Sequence, residues 1–359
     1  MQPEPGPLNV ADWEAVARER LDEAALGYFA GSAGDERTLR DNVEAWDRWL
    51  LRPRVLVDVA AASPATRVLG EELSLPAIVA PTAFQRLAHP DGEQAMARAA
   101  AAEGTVMCLS TLATATPEEV AEAAPDGRRW HQVYVFQRRE VTWELVERAL
   151  AGGCSALVLT VDVPVFGRRE RDLRTGFAIP ESVLVPSMAA THDAAWTGMT
   201  PQDILVDPTV SWRDLEELCG RAGVPVLMKG ILGPEDARLA LEHGAAGVVV
   251  SNHGGRQLDG VPATADVLEE VAEAVSGRGA VLVDGGIRRG TDILRALALG
   301  ADAVLVGRAV LWGLAGDGEA GVRQVLALLR DEVAAGLALL GCTQPDEVSR
   351  AHVARGRAD

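Results

Sequence analysis

From residue 75 onward the chain alternates short, unbroken apolar runs with longer stretches where Ala, Leu and Val recur at helical spacing among Glu, Asp and Arg. The runs cover 75–80, 105–109, 130–135, 156–162, 225–229, 246–251, 280–284 and 302–307. Between most of them lie amphipathic stretches at 92–102, 117–124, 141–151, 234–243, 264–275 and 291–299. A run that is apolar at every position fits a strand buried on both faces, as in parallel sheets covered by helical crossovers. Such a succession predicts an α/β protein with a closed (β/α)8 TIM barrel. A doubly wound sheet is the competing arrangement, but no G-x-G-x-x-G follows the first run.

Two segments break the alternation. Residues 8–74 precede the barrel as an N-terminal helical extension, with short strands expected at 54–59 and 67–69 to close the barrel bottom. Residues 165–212, with Pro180, Pro186, Pro201 and Pro208, form a long loop region after the fourth strand. A loop of that length in a compact domain is usually a lid or a binding loop. The expected organisation is one domain over 1–359, with the barrel spanning 75–340.

Composition narrows the classes of partner. The net charge of −18 repels phosphate backbones and anionic lipid, so neither nucleic acid nor membrane is expected as a partner. No apolar run reaches membrane-spanning length, and the first residues lack the basic and apolar regions of a signal peptide. A soluble, cytoplasmic protein is expected. Cys108, Cys154, Cys219 and Cys342 are widely spaced and the six histidines form no ligand cluster, so no metal is predicted.

The chemistry gathers where the runs end. The sixth run leads into Ser251-Asn252-His253-Gly254-Gly255-Arg256-Gln257. A titratable base, His253, thus lies three residues before a fixed cation, Arg256, which suits proton abstraction from a substrate held by its carboxylate. The plain alternative is a strand-end turn with a capping histidine. Of 34 cationic side chains 33 are Arg, and the one Lys, Lys229, ends the fifth run. It is suited either to a Schiff base with a carbonyl substrate or to stabilising negative charge on a cofactor. Asp162, ending the fourth run, is a natural partner for His253, since a nearby carboxylate raises and orients an imidazole. Gly285-Gly286 with Arg288, and Gly307 with Arg308, end the last two runs and read as a phosphate grip. The chain holds only two tyrosines, Tyr28 and Tyr134.

Taken together, the segments 251–260, 283–290, 160–169, 81–92 and 28–42 resemble those of the FMN-dependent L-2-hydroxy acid oxidases and dehydrogenases. That family includes glycolate oxidase, lactate oxidase and the mandelate enzymes, and the similarity runs from about residue 8 to 355. The resemblance implies FMN as cofactor, with His253 as the base and Asp162 as its partner. Arg169 and Arg256 would clamp the substrate carboxylate, a geometry that guanidinium suits. Tyr28 and Tyr134 would contact the substrate carboxylate and hydroxyl, and Lys229 would sit by the flavin's pyrimidine end. Flavin contacts would come from Pro81, Thr82, Ala83, Ser110, Gln132, Thr160 and Ser251, with Asp284 on the ribityl chain. The phosphate would lie over Gly286, Arg288, Gly307 and Arg308.

The implied reaction oxidises an L-2-hydroxy acid to the 2-oxo acid, with O2 as acceptor and hydrogen peroxide as product. Ala83 and the lack of a hydrophobic insertion in 178–212 favour the soluble oxidase over a dehydrogenase with a quinone or protein acceptor. Leu112 replaces a pocket tryptophan of glycolate oxidase, while Phe84 and Phe166 add apolar wall. A medium-chain aliphatic or aromatic substrate such as mandelate is therefore expected. The resemblance also implies a homotetramer. A non-oxidative FMN isomerase, a Schiff-base lyase and a non-catalytic flavoprotein are the rival functions.

Overall fold

A computed structural model describes residues 6–191, 200, 204 and 206–356. Pro201 of the long loop falls outside them. The N-terminal extension forms three helices, α1 (Val10–Arg20), α2 (Glu23–Ala30) and α3 (Arg37–Asp47). Three short strands follow: β1 (Trp49–Leu51), β2 (Thr66–Val68) and β3 (Glu71–Leu73). Eight parallel strands then close into a barrel: β4 (Ala77–Val79), β5 (Val106–Leu109), β6 (Arg128–Val133), β7 (Ala156–Thr160), β8 (Val226–Ile231), β9 (Gly247–Val250), β10 (Ala280–Val283) and β11 (Ala303–Val306). β4 pairs with β11 to complete the ring, with Ala77 opposite Val304.

Each apolar run thus becomes a barrel strand, trimmed or shifted by a few residues. Its inner positions fill the barrel: Ile78, Val106, Cys108, Trp130, Val158, Leu227, Val249, Leu282 and Leu305 pack as one buried cluster. The outer positions meet the surrounding helices. These are α4 (Gly92–Ala102), α5 (Pro117–Ala123), α6 (Arg139–Ala151), α7 (Glu170–Thr175), α8 (Pro186–Thr191), α9 (Trp212–Ala222), α10 (Pro234–Glu242), α11 (Thr264–Val275), α12 (Gly290–Ala298) and α13 (Arg308–Leu340). α7, α8, α9 and α13 lay outside the sequence reading, the first two within the stretch read as a loop. α13, 33 residues long, breaks at Asp317 and Gly318, and its run packs against α1, α4 and α12.

The barrel bottom is closed by β2 and β3, an antiparallel hairpin turning through Leu69 and Gly70, both at positive φ. Val68 and Leu73 from this hairpin join the inner cluster, so the 67–69 expectation holds with a one-residue shift. The strand expected at 54–59 does not form. That segment is irregular and solvent-facing, with Val55 81% and Leu56 103% exposed. Among the described residues no neighbouring strand takes its backbone groups. The sheet partner in this region is β12 (Val353–Arg355), which pairs instead with β1. Among the described residues no helix is long and apolar enough to cross a membrane.

Candidate active site

The C-terminal ends of the barrel strands surround a cavity of ≈ 1090 Å³, counted out to its open mouth. Its walls come from successive strand ends: Pro81, Thr82 and Ala83; Ser110 and Leu112; Gln132 and Tyr134; Thr160; Lys229; His253 and Arg256; Asp284, Gly286 and Arg288; and Gly307 and Arg308. Tyr28 arrives from α2, and Phe166 and Arg169 from the long loop region. All but three of the predicted site residues line this one space. The three exceptions are Asp162, Ser251 and Phe84.

Asp162 lies behind His253, and its Oδ1 is 2.9 Å from the imidazole Nδ1. It can come this close because β8 bulges between Lys229 and Ile231, and Gly230 there has no side chain to meet Asp162. The carboxylate keeps the proton on Nδ1 and leaves Nε2 with its lone pair free. Burial alone pushes the Asp162 carboxyl up, but the adjacent His253 ring, which also hydrogen-bonds it, and the Lys229 ammonium outweigh burial and hold the carboxyl below its usual range. Burial also lowers the His253 imidazole. Asp162 opposes that effect, but Lys229 and Arg169 reinforce it, so the net direction is down. The sequence argument that the carboxylate would raise this imidazole captures one contribution and misses the larger one. A neutral His253 against an ionised Asp162 is the arrangement at neutral pH.

The turn that delivers the imidazole is strained and braced. His253 itself adopts φ 58, with Gly254 and Gly255 also at positive φ. Such a conformation costs a non-glycine residue on the order of 1–3 kcal/mol and persists only where its surroundings impose it. Here the His253 N–H donates to Ser251 Oγ at 3.0 Å, and the Gly255 N–H to Asn252 Oδ1 at 3.2 Å. Asn252 in turn forms a reciprocal amide pair with Asn42 of α3, both bonds 2.8 Å.

Ser251, fully buried, also accepts a hydrogen bond from Lys229 Nζ at 2.8 Å, so it supports Lys229 instead of facing the cavity. Asp284 Oδ2 lies 3.1 Å from the same ammonium. Burial lowers the Lys229 ammonium, yet Asp284 and Asp162 overcome it and raise the net value. The side chain is therefore a charged ammonium. A Schiff-base lysine needs the opposite, a depressed amine that is free to attack. The charge-stabilising reading of Lys229 is the one its surroundings favour.

Four guanidinium groups face the cavity, and none makes an ion pair among the described residues. Arg169, the N-cap of α7, is 3% exposed; burial and the adjacent Arg256 lower it to about 10. Arg256 donates to the carbonyls of Tyr28 (2.6 Å) and Gly31 (2.9 Å) and lies 4.6 Å over the Tyr28 ring. Burial depresses Arg288. Arg308 is depressed strongly, by burial and then by Arg256, Arg288 and Arg169. Its Nε, Nη1 and Nη2 each donate to a carbonyl, of Phe29, Gly254 and Gly31, so it also ties α2 to the histidine turn. So many guanidiniums without an ion pair around one cavity call for anionic ligands.

Polar atoms left without partners mark a second requirement. Gln132 Nε2, Thr160 Oγ1 and Asp284 Oδ1 are buried and unbonded on the cavity wall. The Gln132 amide is oriented by the Thr111 N–H and Ser110 hydroxyl on its Oε1, at 3.0 and 3.4 Å. Buried polar groups are seldom left unbonded, so an occupant with polar atoms along one edge fits this wall. An isoalloxazine ring with a phosphate tail meets both requirements. The tail would find Gly286, whose backbone nests against Asn42 O, next to Arg288 and Gly307.

Phe84 corrects the sequence reading. It is fully buried and packs 5.5 Å from the Tyr28 ring, so it is an under-layer of the pocket and not its wall. Three supports were missed. Phe177 stacks on Tyr28 at 4.5 Å. Gln257 ties the carbonyls of Asp162 and Val165 together. The Trp46 indole donates to Gly285 O at 2.9 Å. Gln257 stood inside the histidine motif and was open to detection; the two aromatic residues carry no local signal.

Comparison with known proteins agrees with this chemistry. Residues 17–355 match the family described as FMN-dependent dehydrogenase. Glycolate oxidase 1 of Zea mays is 49% identical over 351 residues, covering 96% of this chain and 95% of that protein. Glycolate oxidase 3 of Arabidopsis thaliana is 47% identical over 353 residues, with the same coverage. Among solved structures, mandelate oxidase superposes with a TM-score of 0.91 at 43% identity, covering 98% of this chain and all of that one. Mandelate oxidase with (S)-2-phenylpropionate gives 0.90 at 43% identity with equal coverage. The chain belongs to the FMN-dependent dehydrogenase family, within its 2-hydroxy acid oxidase group, and FMN is its cofactor.

Proposed function

We propose that the protein oxidises an (S)-2-hydroxy acid to the 2-oxo acid and that O2 then takes the electrons, giving hydrogen peroxide. The observation that carries this reading is the His253–Asp162 pair, 2.9 Å apart, beside the unpaired guanidiniums of Arg169 and Arg256. In this reading the two arginines grip the substrate carboxylate, with Tyr28 alongside. Tyr134, whose phenol burial raises far from ionisation, donates to the substrate hydroxyl. His253, neutral and oriented through Nδ1, accepts a proton from the substrate at Nε2. FMN, when bound, would supply the two-electron acceptor. Lys229 offers fixed positive charge where negative charge would develop on reduction. Ser110, Gln132 and Thr160 would hold the ring, and Gly286, Arg288, Gly307 and Arg308 the phosphate.

The substrate in this reading carries a side chain larger than that of glycolate. Leu112 and Phe166 belong to the apolar part of the wall, and Phe84 lies in the layer behind Tyr28. Each methylene buried against such a wall contributes about 0.8 kcal/mol. The solved mandelate oxidases support an aromatic or medium aliphatic acid, whereas the glycolate oxidase relatives support a small one. A panel of hydroxy acids decides between them: highest kcat/KM on glycolate would refute the larger substrate. Leu112→Trp should then cost mandelate turnover at least about tenfold while sparing glycolate.

The acceptor is tested on the yellow protein itself. Anaerobic L-mandelate or L-lactate should bleach the flavin bands, and air should restore them with stoichiometric peroxide. Recolouring in air much slower than turnover with a quinone would favour a dehydrogenase. Flavin untouched by every hydroxy acid would sink the redox reading.

A further inference from the structure

Asp172 sits on α7, three residues after Arg169, and the reaction just described leaves it without a role. It is 4% exposed, and neither of its carboxyl oxygens has a hydrogen-bond partner. A buried carboxylate without donors is costly to keep and is normally satisfied. Two charges face it, Arg256 and Arg169, the pair proposed to hold the substrate, and neither forms an ion pair with it among the described residues. The other charges of α7 are engaged elsewhere: Arg171 with Glu36 and Arg174 with Glu170. The link from Asp172 to α2 runs to the Tyr28 ring. Phe177, whose N–H donates to Asp172 O at 2.8 Å, stacks on that ring.

We propose that Asp172 is the counter-charge of the two-arginine clamp and takes up one proton from solvent when a substrate or product carboxylate enters. The inference rests on the clamp reading given above. In the open site, two guanidiniums balance one internal carboxylate. A second carboxylate competes for the same positive charge in a space from which water is displaced. Two anions within a short distance of each other in such surroundings do not both stay ionised. Burial already raises the Asp172 carboxyl, and Arg256 and Arg169 oppose that rise. An anion that engages the arginines weakens the opposition, so Asp172 becomes the protonated member. Departure of the product returns the proton. Asp172 touches no reacting atom and acts only through the arginines, so it is a positioning residue.

The test uses the oxidised holoenzyme and benzoylformate, a monoanionic 2-oxo acid that cannot reduce the flavin. Binding is followed by the shift of the visible flavin band from pH 5 to 8. Proton uptake is measured by calorimetry in buffers of different ionisation enthalpy. The expected result is uptake approaching one proton per ligand, with Kd rising up to tenfold per pH unit where Asp172 is ionised in the free protein. Asp172→Asn should abolish the uptake and flatten the profile while retaining tight binding, which a merely structural residue would not do. His253→Gln should keep the uptake, because the imidazole is the competing acceptor. Should Asp172→Asn fail to hold FMN, Asp172→Glu, which keeps the carboxyl, must show the uptake. No uptake in the unmodified protein, uptake persisting in Asp172→Asn, or its loss in His253→Gln would each overturn the proposal. Benzoylformate that shifts no flavin band at any pH would instead remove the clamp reading beneath it.

Discussion

His253 combines three local decisions: a left-handed backbone imposed by a glycine turn, a carboxylate on Nδ1, and burial, reinforced by Lys229 and Arg169, that keeps the ring neutral. Its depressed pKa gives a definite pH dependence. The neutral form is the active one, so the acid limb of the kcat/KM profile should lie below the ordinary histidine range, at the lowered value. Asp162→Asn removes the contribution that raises the imidazole, so the acid limb should move to still lower pH. The plateau should drop by about 10²–10⁴, the usual worth of positioned acid–base catalysis. A pH–rate profile of both proteins checks the two effects together; an acid limb moving upward would contradict the charge balance described here. At this scale the sequence was informative where chemistry is rare. One Lys, two Tyr and a histidine–arginine turn all led to the cavity. It was uninformative about direction of facing, and so Phe84 and Ser251 were placed on the wall although they stand behind it.

Among the elements, α3 has the widest influence on the site. It holds the histidine turn through Asn42 and Asn252, and the glycine cradle through the Trp46 indole and the Asn42 carbonyl. A Cβ at Gly286 would stand 1.8 Å from that carbonyl, at φ +77. Gly286→Ala must therefore displace either the cradle or α3. With strain on the order of 1–3 kcal/mol, FMN affinity should weaken about five- to a hundredfold. Fluorescence titration of the apoprotein with FMN measures this, and unchanged affinity would show that the cradle does not hold the phosphate. The barrel strands were legible because burial on both faces leaves an unbroken apolar run. The 54–59 segment, with Val55, Leu56 and Val57, imitates such a run yet has no strand to pair with, and hydrophobicity alone does not reveal pairing. Helix α3 looks like any amphipathic helix in sequence; its role exists only in the folded contacts.

Across the whole molecule the charges are segregated. A chain of net charge −18 gathers unpaired guanidiniums of Arg169, Arg256, Arg288 and Arg308 around one cavity. Their mutual repulsion opposes folding until anions occupy the space. Removal of FMN should lower the Tm, and FMN at a hundred times its Kd should restore about 2.7 kcal/mol. Differential scanning calorimetry of holo and apo protein tests this, and equal melting temperatures would contradict it.

The lone lysine has a practical consequence. Because Lys229 is 4% exposed at the end of a barrel strand and lines the cavity, the single lysine amine of the folded chain can be approached only through the space that FMN would fill. Amine-directed acylation should therefore leave the lysine unmodified while FMN fills that cavity. Any acylated lysine found by mass spectrometry would be a timestamp of opening at the barrel's heart, read at a single atom without an engineered probe.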